Sequence, residues 1–259
     1  MTARQWEIFF EVHSDLPREG PGGPASTQKA YSLIRNLPLK PLILDMGCGP
    51  GAQTVELAEL SSGEIHAIDN HAPFLDQLRR TAANRGLSAA IVPTLADMTQ
   101  LKFKNESFDV IWAEGSIFIM GVANALKQWR PLLKPGGTIA FTEVSWIRTG
   151  VPEELNQFWQ EAYPAITTIA ENIQKIKELG YQLTGHFILP ESDWWDGYYN
   201  PMMEKLPALL QKYKADNEAL EVLEMTEKEF EMYQRYSGYY GYVFYIAERD
   251  RSPSIKSLE

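Results

Sequence analysis

A short run of this chain is built for close backbone contact with a ligand. Leu42-Ile-Leu-Asp45 is apolar and ends in an acid, and Met46-Gly47-Cys48-Gly49-Pro50-Gly51 follows with a glycine at every second position. Such a turn lets backbone N–H groups approach a ligand with no Cβ in the way. Further acids end later apolar runs: Asp69 with Asn70 behind it, Asp97 with Met98 behind it, Glu114, and Glu143. Gly47, Gly49 and Ala52 fit the G-x-G-x-x-A fingerprint of dinucleotide sites. Yet Asp45, two residues before the first glycine, sets a negative charge near any polyphosphate. A cationic ligand tolerates that charge better. Two ligand classes are therefore weighed: a dinucleotide such as NAD, and S-adenosylmethionine, which carries a sulfonium and an ammonium and no phosphate.

The elements that must position these residues alternate. Strands are expected at Pro41–Asp45, Glu64–Asp69, Ala89–Asp97, Phe108–Gly115, Thr138–Trp146, Tyr181–Pro190 and Gly241–Glu248. Helical spacing of apolar residues fills the gaps: Ala52 onward, Phe74-Leu75-Leu78-Ala82, Val122 to Leu133, and Ile166 to Leu179. Ser26 is read as the N-cap of a helix carrying Ala30, Leu33, Ile34 and Leu37, and Thr226 with Glu229 as a capping box. Strand–helix alternation implies α/β architecture: a seven-stranded, mostly parallel, Rossmann-like sheet with helices on both faces. In such sheets ligands sit at the C-terminal strand ends, where Asp69 and Asp97 fall. An acid at the position of Asp69 can accept both hydroxyls of a ribose.

The organisation expected is one domain over residues 1–259. Residues 1–37 form an N-terminal cap and helix, 38–190 the cofactor-binding core, 191–238 a helical insertion or lid, 239–249 the last strand, and 250–259 a frayed tail. From Trp194 to Tyr245 the chain carries thirteen of its thirty aromatic residues. Most are read as packing and a few, Trp194, Trp195, Tyr198 and Tyr199 among them, as a lid.

Taken together, Asp45-Met46-Gly47-Cys48-Gly49-Pro50-Gly51, Asp69, Asp97-Met98 and the turn Leu132-Leu-Lys-Pro-Gly-Gly137 resemble the motifs of the class I S-adenosylmethionine-dependent methyltransferases. The resemblance covers residues 38–145 closely and the later strands loosely. Segments such as Glu114-Gly-Ser-Ile117, the final Tyr239-Tyr-Gly-Tyr-Val-Phe-Tyr-Ile246 and the N-terminal Gly-Pro-Gly loop look similar to quinone-biosynthesis methyltransferases and to bacterial methyltransferases without an assigned substrate. The resemblance implies S-adenosylmethionine as cofactor, S-adenosylhomocysteine as product and a small-molecule acceptor. It implies cofactor contacts from Asp45, Gly47, Cys48, Gly49, Gly51, Asp69, Asn70, Asp97, Met98 and Glu114. In this family the acid at Asp97 meets the adenine amino group, and its neighbour borders the ring.

Glu114 is the first candidate for a catalytic base or a partner of the cofactor's ammonium, with a capping role before Gly115-Ser116 as the alternative. His13 is a second catalytic candidate. Trp146, His186, Trp194, Trp195 and Tyr198 are candidates for the acceptor pocket. Cys48 reads as loop filler, since nothing nearby activates a thiolate.

Net charge is -10, and four histidines and one cysteine show no metal-ligand spacing. The acidic balance argues against nucleic acid, whose binders usually carry a basic face. No apolar run reaches the roughly 18 residues of a membrane span, and no signal-peptide pattern opens the chain. The expectation is a cytoplasmic enzyme. The alternatives are an NAD-dependent oxidoreductase on a Rossmann sheet and a protein that binds S-adenosylmethionine without transferring its methyl group.

Overall fold

The computed structural model describes residues 1–251. The part of the expected tail beyond residue 251 lies outside the described residues.

In chain order the elements are α1 (Ala3–His13), α2 (Pro24–Ser32), β1 (Leu42–Met46), α3 (Ala52–Ser61), β2 (Glu64–Asp69), α4 (Ala72–Asn84), β3 (Ile91–Leu95), β4 (Phe108–Ala113), α5 (Val122–Trp129), β5 (Leu133–Trp146), α6 (Glu153–Ala162), β6 (Thr167–Thr168), α7 (Ile169–Glu178), β7 (Tyr181–Ile188), α8 (Ser192–Trp194), α9 (Asn200–Lys212), α10 (Asn217–Tyr236) and β8 (Tyr240–Arg249). The strands form one sheet in the order β3-β2-β1-β4-β5-β8-β7, and the two-residue β6 pairs with β5 beside this path. Strand β8 runs antiparallel to both β5 and β7. The other pairs are parallel.

Alternation along each strand divides the core into two layers, because successive side chains point to opposite faces. Ile43, Trp112 and Phe244 pack with α3 and α4 residues Val55, Leu57, Leu75 and Leu78 on one face. Their neighbours Leu44, Ile111 and Tyr245 pack with Leu126, Trp129 and Ile176 of α5 and α7 on the other. A third cluster lies off the sheet. Ile8 and Val12 of α1 join Trp194, Tyr199, Met202, Leu223, Phe230 and Tyr233 of the segment between β7 and β8. Trp194 is stacked on Tyr233 at 4.1 Å between ring centroids. The N-terminal helix and the late insertion thus build one cap together.

Three local expectations are corrected. Helix α2 starts at Pro24 with Gly23 as N-cap. Ser26 lies inside it and donates to Asp193 at 2.5 Å. Thr226 and Glu229 fall within α10. There the Thr226 hydroxyl donates back to the Val222 carbonyl at 2.9 Å, and Glu229 accepts from the Tyr199 hydroxyl at 2.8 Å. The helix expected to reach Leu133 ends at Trp129, before a 3-10 turn, Arg130–Leu132. Pro131 in that turn has no N–H to continue the ladder.

Candidate functional site

Strand order reverses between β1 and β4: β2 and β3 lie to one side of them and β5 to the other. This switch point is where open α/β sheets leave a crevice for ligands. A cavity of about 490 Å³ opens there. Its floor is the glycine loop after β1, the ends of β2 and β3, and the turn after β4. Its roof comes from α1 and the link to α2, namely Trp6, Phe9, Phe10, Arg18, Glu19, Gly20 and Pro21.

Two glycines of the loop have no room for a side chain. Gly47 has φ +67°, and a Cβ there would lie 2.6 Å from the Cβ of Ser116. Gly51, with φ +92°, is the N-cap of α3, and a Cβ there would lie 2.3 Å from Leu78 Cδ1. The Ser116 hydroxyl donates to the Met46 carbonyl at 2.5 Å, fastening the turn after β4 beneath the loop. Asp69 links loop and helix: its Oδ2 accepts the Gly49 N–H at 2.9 Å and its Oδ1 the His71 N–H at 2.8 Å. Asp97 Oδ1 accepts the N–H and hydroxyl of Thr99, at 2.8 and 2.7 Å, which holds its carboxyl below the usual range. Gly47, Cys48, Gly49, Asp69, Asn70, Asp97, Met98 and Glu114 all line the cavity. The structure therefore brings together most of the residues marked as cofactor contacts.

Asp45 and Gly51 do not line it. Asp45 is fully buried under the loop and accepts the Thr54 hydroxyl at 2.6 Å, with Gln53 Nε2 at 3.4 Å. Burial pushes its pKa up to about 7, against the pull of the Thr54 hydrogen bond. It anchors the start of α3 and does not face a ligand. The charge that a ligand meets comes from elsewhere.

Glu114 lines the cavity but is not free to act as a base. Its Oε2 accepts Arg18 Nη1 at 2.7 Å, and its Oε1 accepts the Thr27 hydroxyl and Trp112 Nε1, both at 2.8 Å. Both side chains of the ion pair are more than nine-tenths buried. His13 is buried below the roof. Its Nδ1 lies 2.8 Å from the Phe9 carbonyl and its Nε2 3.3 Å from the Tyr198 hydroxyl. Burial lowers its pKa to about 4, so it is neutral and structural.

The candidates for the acceptor pocket lie elsewhere. His186 is exposed on β7, at the far edge of the sheet. Trp146 packs edge-on to Tyr240. Trp194, Trp195 and Tyr198 belong to the third cluster, where Trp194 and Trp195 pack against Tyr233 of α10 and Tyr198 against Tyr199 and His13. Their rings face protein because that cap has no other core. Glu143 lines a separate cavity of about 180 Å³ with Asn172 and Lys175, and accepts the Tyr163 hydroxyl at 2.8 Å.

Two charged lining residues lie in a segment read only as an irregular loop. Arg18 and Glu19 sit between prolines and glycines, where no periodicity marks a buried role. The aromatic wall had a signal: Trp6, Phe9, Phe10 and His13 repeat at helical spacing on α1.

Residues 43–137 match the family model described as a methyltransferase domain. The chain is 26% identical over 174 residues to a sterol 24-C-methyltransferase of Neurospora crassa, covering 63% of this chain and 45% of that protein. It is 35% identical over 120 residues to the malonyl-[acyl-carrier protein] O-methyltransferase of Salmonella typhimurium, covering 46% and 43%. Against the uncharacterized methyltransferase YodH of Bacillus subtilis it is 27% identical over 173 residues, covering 66% and 72%. The chain spans under half the length of the sterol and malonyl relatives. Among solved structures, a methyltransferase from Geobacter sulfurreducens in complex with S-adenosyl-L-homocysteine superposes with a TM-score of 0.79 at 21% identity, covering 93% of this chain and 97% of that one. YjhP from E. coli gives 0.81 at 22%, covering 93% and 98%. The [4+2]-cyclase SpnF gives 0.73 at 17%, covering 95% and 93%. Residues 43–137 thus match a methyltransferase domain, and the chain as a whole shares the fold of these structures, an S-adenosylmethionine-dependent methyltransferase among them.

Proposed function

We propose that the chain is a cytoplasmic enzyme that binds S-adenosylmethionine in the cavity at the switch point and transfers its methyl group to a small molecule. The single domain is read as a sheet core carrying the cofactor site, covered by residues 1–37 and 191–238. The observation that carries the reading is the Asp69 bridge. A carboxylate at the end of β2, oriented by the N–H groups of Gly49 and His71, keeps lone pairs for a ribose. Asn70 lies beside it, and Asp97 with Met98 follows the next strand and lines the same cavity, which supports reading an adenine subsite there. Gly47 and Gly49 leave the backbone bare for the methionine portion.

When bound, S-adenosylmethionine supplies an electrophilic methyl group on a sulfonium. The residues of this chain hold and screen it. Aromatic side chains of α1 exclude water, and the buried Arg18–Glu114 pair fixes the roof to the end of β4. Orientation of two reactants is a large term, about 7–11 kcal/mol in favourable intramolecular cases. With Glu114 engaged by three donors, methyl transfer here draws on positioning rather than on that carboxylate as a base.

A polyphosphate cofactor fits less well. Glu19, Asp69, Asp97 and Glu114 all line the cavity, and its one guanidinium is paired. The net charge of -10 supports a small-molecule acceptor over a nucleic acid. Titration calorimetry with S-adenosylmethionine, S-adenosylhomocysteine and NAD tests the reading. Tight binding of NAD alone would overturn it. Asp69→Ala is expected to weaken S-adenosylmethionine binding at least about tenfold, ~1.4 kcal/mol. An unchanged affinity would remove Asp69 from the site. A mass-spectrometric screen for methylated products, run on a pool of metabolites, separates an enzyme from a protein that only binds the cofactor.

A further inference from the structure

The charges around the main cavity are unequally matched. Among the described lining residues, Glu19, Asp69, Asp97 and Glu114 are carboxylates, and Arg18 is the one side chain with a permanent positive charge. Arg18 is spent on Glu114. Asp69 is held by two backbone N–H groups and Asp97 by Thr99. Glu19 has no hydrogen bond from another described residue. It lies over the glycine loop, with its Cγ 3.3 Å from where a Cβ on Gly49 would be. Burial and the nearby Asp69 raise its pKa to about 8, and Lys205 of α9 pulls the other way. The cofactor's own carboxylate would lie with its methionine portion against the backbone of the glycine loop. Any other anion entering this cavity finds carboxylates and no unpaired cation among the described lining residues. Burying a charge without a partner is strongly unfavourable.

The rest of the wall is apolar. Trp6, Phe9 and Phe10 of α1 face Phe74 at the start of α4, and Phe10 is stacked on His71 at 4.4 Å between centroids. Trp6 is 47% exposed, and Phe118 and Ile119, in the turn after β4, are 44% and 61% exposed. Large apolar side chains at the rim of a pocket mark where an apolar ligand is received.

Resting on the methyltransferase reading, we propose that the acceptor is an uncharged molecule whose apolar body lies against the aromatic face of α1, and that Glu19 in its ionised form disfavours acceptors bearing a carboxylate or phosphate. A free malonyl carboxylate belongs to the disfavoured class, so substrate choice here differs from what the name of the Salmonella relative denotes.

The test uses the whole chain saturated with S-adenosylhomocysteine at pH 8.5, where Glu19 is largely ionised. Two probes share one ring system: 2-naphthalenemethanol, which is neutral, and 2-naphthoate, which is an anion. Calorimetry is expected to show the alcohol binding at least about tenfold more tightly than the carboxylate. In Glu19→Gln the alcohol affinity should hold within about twofold, and the gap should narrow at least about threefold. Trp6→Ala, at a half-exposed position outside the buried core, should lose alcohol affinity while retaining S-adenosylhomocysteine. The proposal is overturned if the wild-type chain prefers the carboxylate or binds neither probe, or if the Glu19→Gln variant shows the same gap as the wild type. Each of these outcomes leaves the cofactor reading standing. If the wild-type chain binds neither S-adenosylmethionine nor S-adenosylhomocysteine, the cofactor reading fails and takes this proposal with it.

Discussion

Arg18 and Glu114 respond unequally to single and double substitution. Arg18→Ala leaves a carboxylate buried beside Thr27 and Trp112 with its charge uncompensated. Breaking a buried pair from one side typically costs about 3–5 kcal/mol. The double variant Arg18→Met with Glu114→Gln removes both charges and should be markedly less destabilised. Urea unfolding of the three proteins tests this, and equal losses in single and double variants would show that the pair is not the source. The same residues show what a reader of the sequence could and could not see. Glu114 was legible as an acid at a strand end. Its partner lies 96 positions away in a Gly/Pro segment, and no local pattern links them. Asp45 is the converse case. Its spacing before the glycines is a sound signal for the loop, but its direction is set by Thr54 and Gln53, so it serves the loop from below.

At the scale of elements, one lysine clamps the C-terminal end of α1. Lys205 Nζ of α9 donates to the carbonyls of Glu11, Val12 and Ser14 at 2.8, 2.7 and 2.6 Å. These carbonyls lie at the C-terminal end of α1, where helical N–H partners run out and the Glu11 carbonyl otherwise takes only the cap N–H and hydroxyl of Ser14. A cation there also meets the negative end of the helix dipole. Lys205→Met keeps the apolar stem and removes the charge-assisted hydrogen bonds, which contribute about 1.5–3 kcal/mol each to a charged group. The expected result is local. Backbone hydrogen exchange should quicken over residues 3–13 and stay unchanged over β1, β4 and β5, and binding of S-adenosylmethionine should weaken. Unaltered exchange in α1 would contradict the clamp. The core strands were legible because their signals are local: β2 begins and ends where the apolar run and its bounding acids placed it. The aromatic segment after β7 was legible as helical and aromatic. Which way its rings turn depends on α1, almost two hundred residues earlier, and periodicity carries no such information.

For the molecule as a whole, several carboxyls are held more protonated than in an unfolded chain. Burial raises Glu19 to about 8 and Asp45 and Glu143 to about 7. For each, the folded chain binds more protons than the unfolded one between the ordinary carboxyl range and the raised value. Stability from these groups is therefore fully present at low pH and is lost as pH rises through that window. His13, lowered to about 4, acts in the opposite sense but only below about 6.5. From pH 6.5 to 8 the carboxyls stand alone in this comparison, and the melting temperature of the ligand-free protein should fall. Glu19→Gln should flatten the fall, as measured by thermal unfolding at matched ionic strength. A wild-type melting temperature that rises over this range would show that these carboxyls do not govern it.

The placement of β8 also bears on how the protein is made. This strand is synthesised after the others, yet it sits between β5 and β7, each residue of β5 from Thr138 to Trp146 pairing with one about a hundred positions later. Until it emerges from the ribosome, β7 has no seat in the sheet and β5 offers an open edge. A nascent chain stalled near residue 238 already carries the glycine loop, Asp69 and the aromatic roof. It still lacks the staple that closes the sheet, and that open edge is the surface on which a chaperone, or a second unfinished copy, would act. Pairing over such distances in sequence also slows folding. Closure of the sheet is thus timed by β8 rather than by the glycine motif after β1.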